Sequence, residues 1–236
     1  MTRSVLPLVA AALASTGCGS SAPVWYGYLY DDPLLSGEFT ALEGGSLEVT
    51  DLNGTVLEGV SSPEGAPDGY VEMRLDVGQE VALRVTGPSH LPMVWRGQVP
   101  ETSAELSTGA LFARDGSVGW SVLSELLGDG ADEGLLEGET VALWGQPLDS
   151  AAFAGVELRA VDGAGVAHDV SAFSIGEEGS VVEAGLDDPV DLFLASGLAP
   201  GEVELVVRRP DGDEVRTVWP AEGGDMLSAH YYVLPE

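Results

Sequence analysis

The chain has 236 residues, of which 39 are acidic and 9 basic, for a formal net charge of -30; such a surface repels nucleic acid and anionic lipid headgroups. None of the basic residues is lysine, which excludes P-loop nucleotide binding, Schiff-base chemistry and Ser-x-x-Lys acylation, since each needs a lysine amine. Cys18 is the only cysteine, so no intrachain disulfide can form and stability has to come from buried cores.

The first element in chain order is a leader. Arg3 precedes an apolar run of ten residues, Val5 to Ala14, followed by Ser15-Thr16-Gly17-Cys18-Gly19-Ser20-Ser21. Ten residues are half of the ~20 that a membrane-spanning helix needs, so residues 1-17 read as a cleaved export signal with the cut between Gly17 and Cys18. The stretch resembles a bacterial lipobox, with Ser15 where Leu is usual. That resemblance implies signal peptidase II processing, a covalent lipid on Cys18 and no other cofactor. Diacylglycerol on the thiol together with an acyl group on the new amine exceeds what stable attachment requires. Gly19 in place of Asp implies, by the same resemblance, onward sorting to an outer membrane. Ala12-Leu13-Ala14 offers an A-x-A site, which would lead instead to simple secretion. Cleavage removes Arg3 and no acid, leaving 8 basic and 39 acidic residues, or -31, on 219 residues.

Residues 18-33 form the lipidated N-terminus, a tether and a first strand in Val24-Trp25-Tyr26-Gly27-Tyr28-Leu29-Tyr30. Its β propensity favours pairing, with Trp25 and the residues two apart pointing alternately inward. The other reading makes Trp25 and Tyr28 part of a surface for the membrane interface, a protein or a glycan.

A first module, 34-127, and a second, 135-236, follow. Val71, Met73, Leu75 and Val77 alternate with charged residues, as expected of a strand with one buried face. Val81, Leu83 and Val85 continue the pattern, which returns in Val203, Leu205 and Val207. Asn53-Gly54, Asp68-Gly69, Asp115-Gly116, Asp162-Gly163 and Asp211-Gly212 punctuate the runs with the positive φ that hairpin turns need. Val118, Val122, Leu123, Leu126 and Leu127 fall at helical spacing after Ser117, predicting a short helix near 117-127. Residues 128-134, Gly-Asp-Gly-Ala-Asp-Glu-Gly, read as a linker.

The modules are copies of one another. Leu34 to Gly45 lines up with Leu135 to Gln146 at an offset of 101. Leu47-Glu48-Val49 and Asn53-Gly54 line up with Val156-Glu157-Leu158 and Asp162-Gly163. Gly78 to Val85 faces Gly201 to Val207, and Val94-Trp95 faces Val218-Trp219 at an offset of 124. Trp95 and Trp219 then read as equivalent core residues. Trp144, opposite Glu43, breaks the symmetry and marks either an interface between modules or a binding site. The fold class is all-β, two tandem antiparallel β-sandwiches.

A strand ending in Asn/Asp-Gly, then Asp68-Gly69-Tyr70 leading to Leu75, then Gly78-Gln79-Glu80-Val81-Ala82-Leu83-Arg84-Val85 resembles the carboxypeptidase regulatory-like, or transthyretin-like, sandwich domain. The second module's counterpart runs from Asp191 to Leu194 and from Leu198 to Leu205. The resemblance covers about two thirds of each module and lacks the Thr-Asp pair that often precedes the family's glycine. It implies a non-catalytic accessory or surface module; an immunoglobulin-like sandwich stays open.

Residues able to carry chemistry are sparse. His90, His168 and His230 stand more than 60 residues apart, without the spacing of a zinc site. Ser117 sits in Gly-Ser-Val-Gly, outside the nucleophile-elbow pattern. Asp31-Asp32, Asp129 to Glu133, Asp187-Asp188 and Asp211 to Glu214 could offer oxygen ligands to calcium, although none forms an Asp-x-Asp-x-Asp-Gly loop. Their simpler role is that of solvated turns. The expectation is a membrane-anchored lipoprotein of the bacterial envelope, without catalytic or metal residues, serving binding, adhesion or envelope structure. The alternative is an accessory subunit of a surface carbohydrate-active or calcium-dependent hydrolase assembly.

Overall fold

The computed structural model describes residues 23–31, 40–111, 124–128, 130–175, 181–185 and 187–232. The described chain is dominated by strands. In order they are β1 (Trp25–Asp31), β2 (Thr40–Ala41), β3 (Ser46–Thr50), β4 (Val60–Ser61), β5 (Tyr70–Met73), β6 (Glu80–Thr86), β7 (Met93–Gln98) and β8 (Ala104–Leu111) in the first repeat. After helix α1 (Ala131–Glu137) come β9 (Val141–Pro147), a 3-10 turn at Ser150–Phe153, β10 (Glu157–Val161), β11 (Ala167–Asp169), β12 (Ser171–Ile175), β13 (Val181–Glu183), β14 (Leu192–Leu198), β15 (Gly201–Arg208), β16 (Glu214–Ala221) and β17 (Met226–Tyr232).

The alternating sequence pattern reaches the interior as expected. Val81, Leu83 and Val85, and in the second repeat Val203, Leu205 and Val207, are all buried, as are Val71 and Met73. Val77 departs from the pattern. β5 ends at Met73, so Val77 lies in the turn before β6 and is 48% exposed.

Strand pairing reveals the duplication more sharply than the sequence does. β3 pairs with β6 and β6 with β7; β10 pairs with β15 and β15 with β16. The other sheet of each repeat runs β4-β5-β1-β8 and β12-β14-β9-β17, and in both copies the first strand lies parallel to the last, β1 to β8 and β9 to β17. The sandwiches are therefore antiparallel except at these closures. The turn after β3 supplies the register. Asp51 Oδ1 accepts hydrogen bonds from the N–H groups of Asn53 and Thr55, just as Asp162 Oδ1 accepts from Ala164 and Val166. Asp51 is thus the equivalent of Asp162, and Asn53-Gly54 of Ala164-Gly165, which moves the sequence alignment by two residues here.

The tryptophans shift in the same way. Val81 faces Gly97 across the ladder, while Val203 faces Trp219, so the counterpart of Trp219 is Gly97 and not Trp95. A Cβ on Gly97 would lie 2.7 Å from the Trp25 ring. An indole from β1 thus occupies in the first repeat the place that Trp219 fills from β16 in the second. The match between Leu34–Gly45 and Leu135–Gln146 does not survive as an equivalence either. Thr40 and Ala41 form β2, a short partner of β1, whereas β9 is the counterpart of β1 itself.

The halves are not two separate sandwiches. β17 lies parallel to β7 of the first repeat as well as to β9 of its own, so eight strands form one sheet in the order β13-β12-β14-β9-β17-β7-β6-β3. A five-stranded sheet, β1 with β2, β5, β4 and β8, and a four-stranded sheet, β11-β10-β15-β16, complete the fold. One face of the shared sheet carries a row crossing both repeats: Val49, Leu83, Trp95, Ser228, Trp144, Leu194 and Ser171. Most of this row belongs to a first core with Leu29, Met73, Leu127 and Leu135. Ala82 and Val94, on the opposite face, join a second core with Leu143, Phe193, Leu205, Trp219 and Leu227. Each such fully buried side chain contributes on the order of 1.5–3 kcal/mol.

The segment read as a linker is structured over part of its length. Residues 124–127 are helical, while the rest of the helix expected at 117-127 lies outside the described residues. α1 then begins at Ala131, between left-handed Gly130 and Gly138. Gly130, within the segment read as a linker, and Gly138, beyond it, act here as helix boundaries. Between them Leu135 is driven to 1% exposure in the first core, which fixes the helix against the sheet.

Candidate functional site

Gly17 and Cys18 lie outside the described residues. β1 starts seven residues beyond Cys18, at Trp25. Its apolar positions point inward: Leu29 is fully buried and Trp25 packs on the first core. Tyr26 and Tyr28 point to the other side of the sheet and are half-buried. Tyr28 meets Tyr70 edge to face at 5.2 Å, and the Tyr70 hydroxyl donates to Glu72. Burial, reinforced by the Glu72 carboxylate, raises the Tyr70 phenol above its ordinary value.

Trp144 is not a surface residue. It is 5% exposed, flanked by Ser228 and Leu194 on the shared sheet. Its counterpart by pairing is Tyr26, since β1 and β9 align at Gly27 and Gly145. The two positions point out of their sandwiches alike. Among the described residues, the first repeat's core and α1 cover that outer face in the second repeat, so Trp144 lies at an interface between the halves, while Tyr26 is half-buried.

The acidic turns use their carboxylates on their own backbones. Asp211 accepts from the Asp213 N–H, Asp188 from Gly185 and Asp132 from Glu133. Backbone donors, Thr55 foremost, hold Asp51 below its ordinary value. Among the described residues no three His, Cys, Asp or Glu side chains converge as metal ligands. Side chains of Asp31 and His230, together with Asp32 and Asp129, lie outside what is described.

Two buried carboxylates stand apart from these turns. Asp162 is 6% exposed. Its Oδ1 takes the N–H groups of Ala164 and Val166, while Oδ2 accepts from Ala199 at 3.3 Å and meets His168 Nε2 at 2.8 Å. Burial pushes its carboxyl upward, but the bonds from Val166, His168, Ala199 and Ala164 outweigh it and hold the group at about 2. His168, on β11, is thereby tied to the turn that joins β10 to β11.

Asp225 is 1% exposed, in the turn before β17. Its Oδ1 accepts from Arg84 Nε at 3.0 Å and pairs with Arg84 Nη2 at 2.9 Å; Oδ2 accepts from the Glu222 N–H at 2.7 Å. Arg84 Nη1 pairs with the Glu222 carboxylate. Burial pushes the Asp225 carboxyl up to about 6, although the Glu222 N–H and Arg84 both draw it down. The two carboxylates raise Arg84 further despite its own burial. The group borders a cleft of about 450 Å³ between the repeats, with Glu48, Thr50, Ala82 and Val94 on one side and Gly201, Glu202, Pro220 and Ala221 on the other. Sequence reasoning missed this cluster, because its members lie 138 and 141 residues apart, Arg84 enters the Gly78 to Val85 pattern only as a polar residue of an alternating strand, and Asp225 belongs to no motif. Asp162 left a trace: an Asp opening a Gly-rich turn with a histidine six positions later.

No family model matches the chain, and no curated protein does.

Proposed function

We propose that the protein is an exported bacterial lipoprotein, anchored by lipid on Cys18, whose duplicated β fold is a non-catalytic module for binding, adhesion or envelope structure. The observation that carries this reading is the leader: Arg3, the apolar run to Ala14, small residues through Gly17 and then the chain's single cysteine. The fold supports it in two ways. β1 begins seven residues after Cys18, so an anchor there would hold the sandwich close to the bilayer. An all-β architecture with two buried cores also meets the need for stability without disulfides. The carboxypeptidase regulatory-like reading of the two repeats is part of this proposal. It rests on the sequence pattern of Asp68-Gly69-Tyr70 leading to Leu75 and of Gly78 to Val85.

The test is the intact mass of the protein purified from membranes of its own host, compared with Cys18→Ser. The expected form begins at Cys18 and carries diacylglycerol, and the variant is released from the membrane. A lipid-free protein starting at Ser15, soluble with or without the cysteine, overturns the proposal.

A further inference from the structure

The cleft between the repeats exposes apolar surface that continues a core. Ala82, Val94 and Ala221 line it and belong to the second core, and beside them Val56 is 60% exposed. At about 450 Å³ the cleft has the size that ligands fill. An apolar surface of this kind, rimmed by polar groups, is one that a partner covers.

The charges decide which partner. Among the described residues the cleft carries four carboxylates, those of Glu48, Glu202, Glu222 and Asp225, against the one guanidinium of Arg84. All three nitrogens of Arg84 are engaged, Nε and Nη2 with Asp225 and Nη1 with Glu222. An anion entering the cleft thus meets no uncommitted cation among the described residues. Glu48 and Glu202 differ from the other two acids. They come from opposite repeats, both are exposed, and neither has a hydrogen bond or an ion pair among the described residues. A cation brought to them gains charge-assisted hydrogen bonds without displacing any partner.

We propose that this cleft is a docking groove for a basic segment of a partner polypeptide, with a lysine or arginine stem along Ala82 and Val94 and its charge at Glu48 and Glu202.

The side chain that fits has an apolar stem and a positive end, which is the build of lysine and arginine. The Glu222 carboxylate, 71% exposed although it also meets Arg84, offers a further acceptor. A chain bearing more than one cation therefore gains more than a single small amine does. The net charge of -30 draws such a segment toward the protein from a distance. Docking of this kind rests on the binding reading of the fold and not on lipid at Cys18, so a failure of either leaves the other standing.

The test uses the full chain and a capped Ala-Lys-Ala-Lys-Ala peptide, with Ala-Gln-Ala-Gln-Ala and an alkyl diamine for comparison. Binding is followed at physiological ionic strength by calorimetry and by amide shifts in NMR. The expected result is one lysine peptide per chain, with shifts gathered at Ala82, Val94, Gly201 and Ala221. Glu48→Gln combined with Glu202→Gln should weaken binding about tenfold; both side chains are exposed, so this variant keeps the fold. Glu101→Gln combined with Glu137→Gln removes the same charge outside the cleft lining and should bind as the wild type does. Equal weakening in the two variants, shifts spread over the whole surface, equal binding of the glutamine peptide, or no binding overturns the proposal. A diamine that binds as tightly as the lysine peptide overturns it as well, since the cleft would then take a small amine.

Discussion

Asp162 and Asp51 open the same turn in the two repeats, yet they differ in what depends on them. Asp51 is solvated and caps two amides. Asp162 is buried and also holds His168 and the Ala199 N–H. Asp162→Ala leaves several donors without a partner and should cost about 3 kcal/mol in urea unfolding, against a much smaller loss for Asp51→Ala. Equal losses would show that the His168 and Ala199 bonds contribute nothing. Because Asp162 is depressed to about 2 from 3.8, its stabilisation is complete above pH 3.8 and is lost as pH falls through 2. Asp225 acts in the opposite sense. With its carboxyl raised to about 6, the stability it contributes is complete below pH 3.8 and is lost as pH rises through 6. Stability measured between pH 4 and 7 should accordingly decline in the wild type and flatten in Asp225→Asn.

Among elements, α1 carries the clearest lesson about what a sequence displays. Gly, Asp and Ala through residue 134 give no periodicity, so the segment reads as a linker. The structure resolves it as a helix because Leu135 has a core to enter. Leu135→Ala should cost ~2–5 kcal/mol and melt α1 with it. A loss below ~0.5 kcal/mol, the range of ordinary surface substitutions, would mean that the helix is not held by this contact. The strands were legible because alternation is a local property, as in Val81, Leu83 and Val85. Register was not, since sliding a strand by two residues preserves its alternation. That is why Trp95 aligned with Trp219 when the pairing sets Gly97 there. The burial of Trp144 was not legible either, because no local pattern reveals that another half of the chain will cover a sheet's outer face. The contact of Arg84 with Asp225 was invisible for the same reason.

For the molecule as a whole, β17 decides how the two repeats behave. It is last in chain order among the described strands and sits in the interior of the shared sheet, between β7 and β9. The halves should therefore unfold together, with calorimetric and van't Hoff enthalpies in agreement; two resolved transitions would show that the sheet separates at β7–β17. A fragment of residues 1–128 lacks β17 and would expose the β7 edge, so it should aggregate or remain unfolded.

The position of β17 also imposes a timetable. The central strand of the largest sheet is synthesised after every strand it has to join, so neither β7 nor β9 acquires its neighbour until residue 226 has emerged. On the export route proposed above, the chain has to reach a narrow translocation channel still threadable. By drawing its keystone from the last of its described strands, it defers closure of the shared sheet until both repeats have been made.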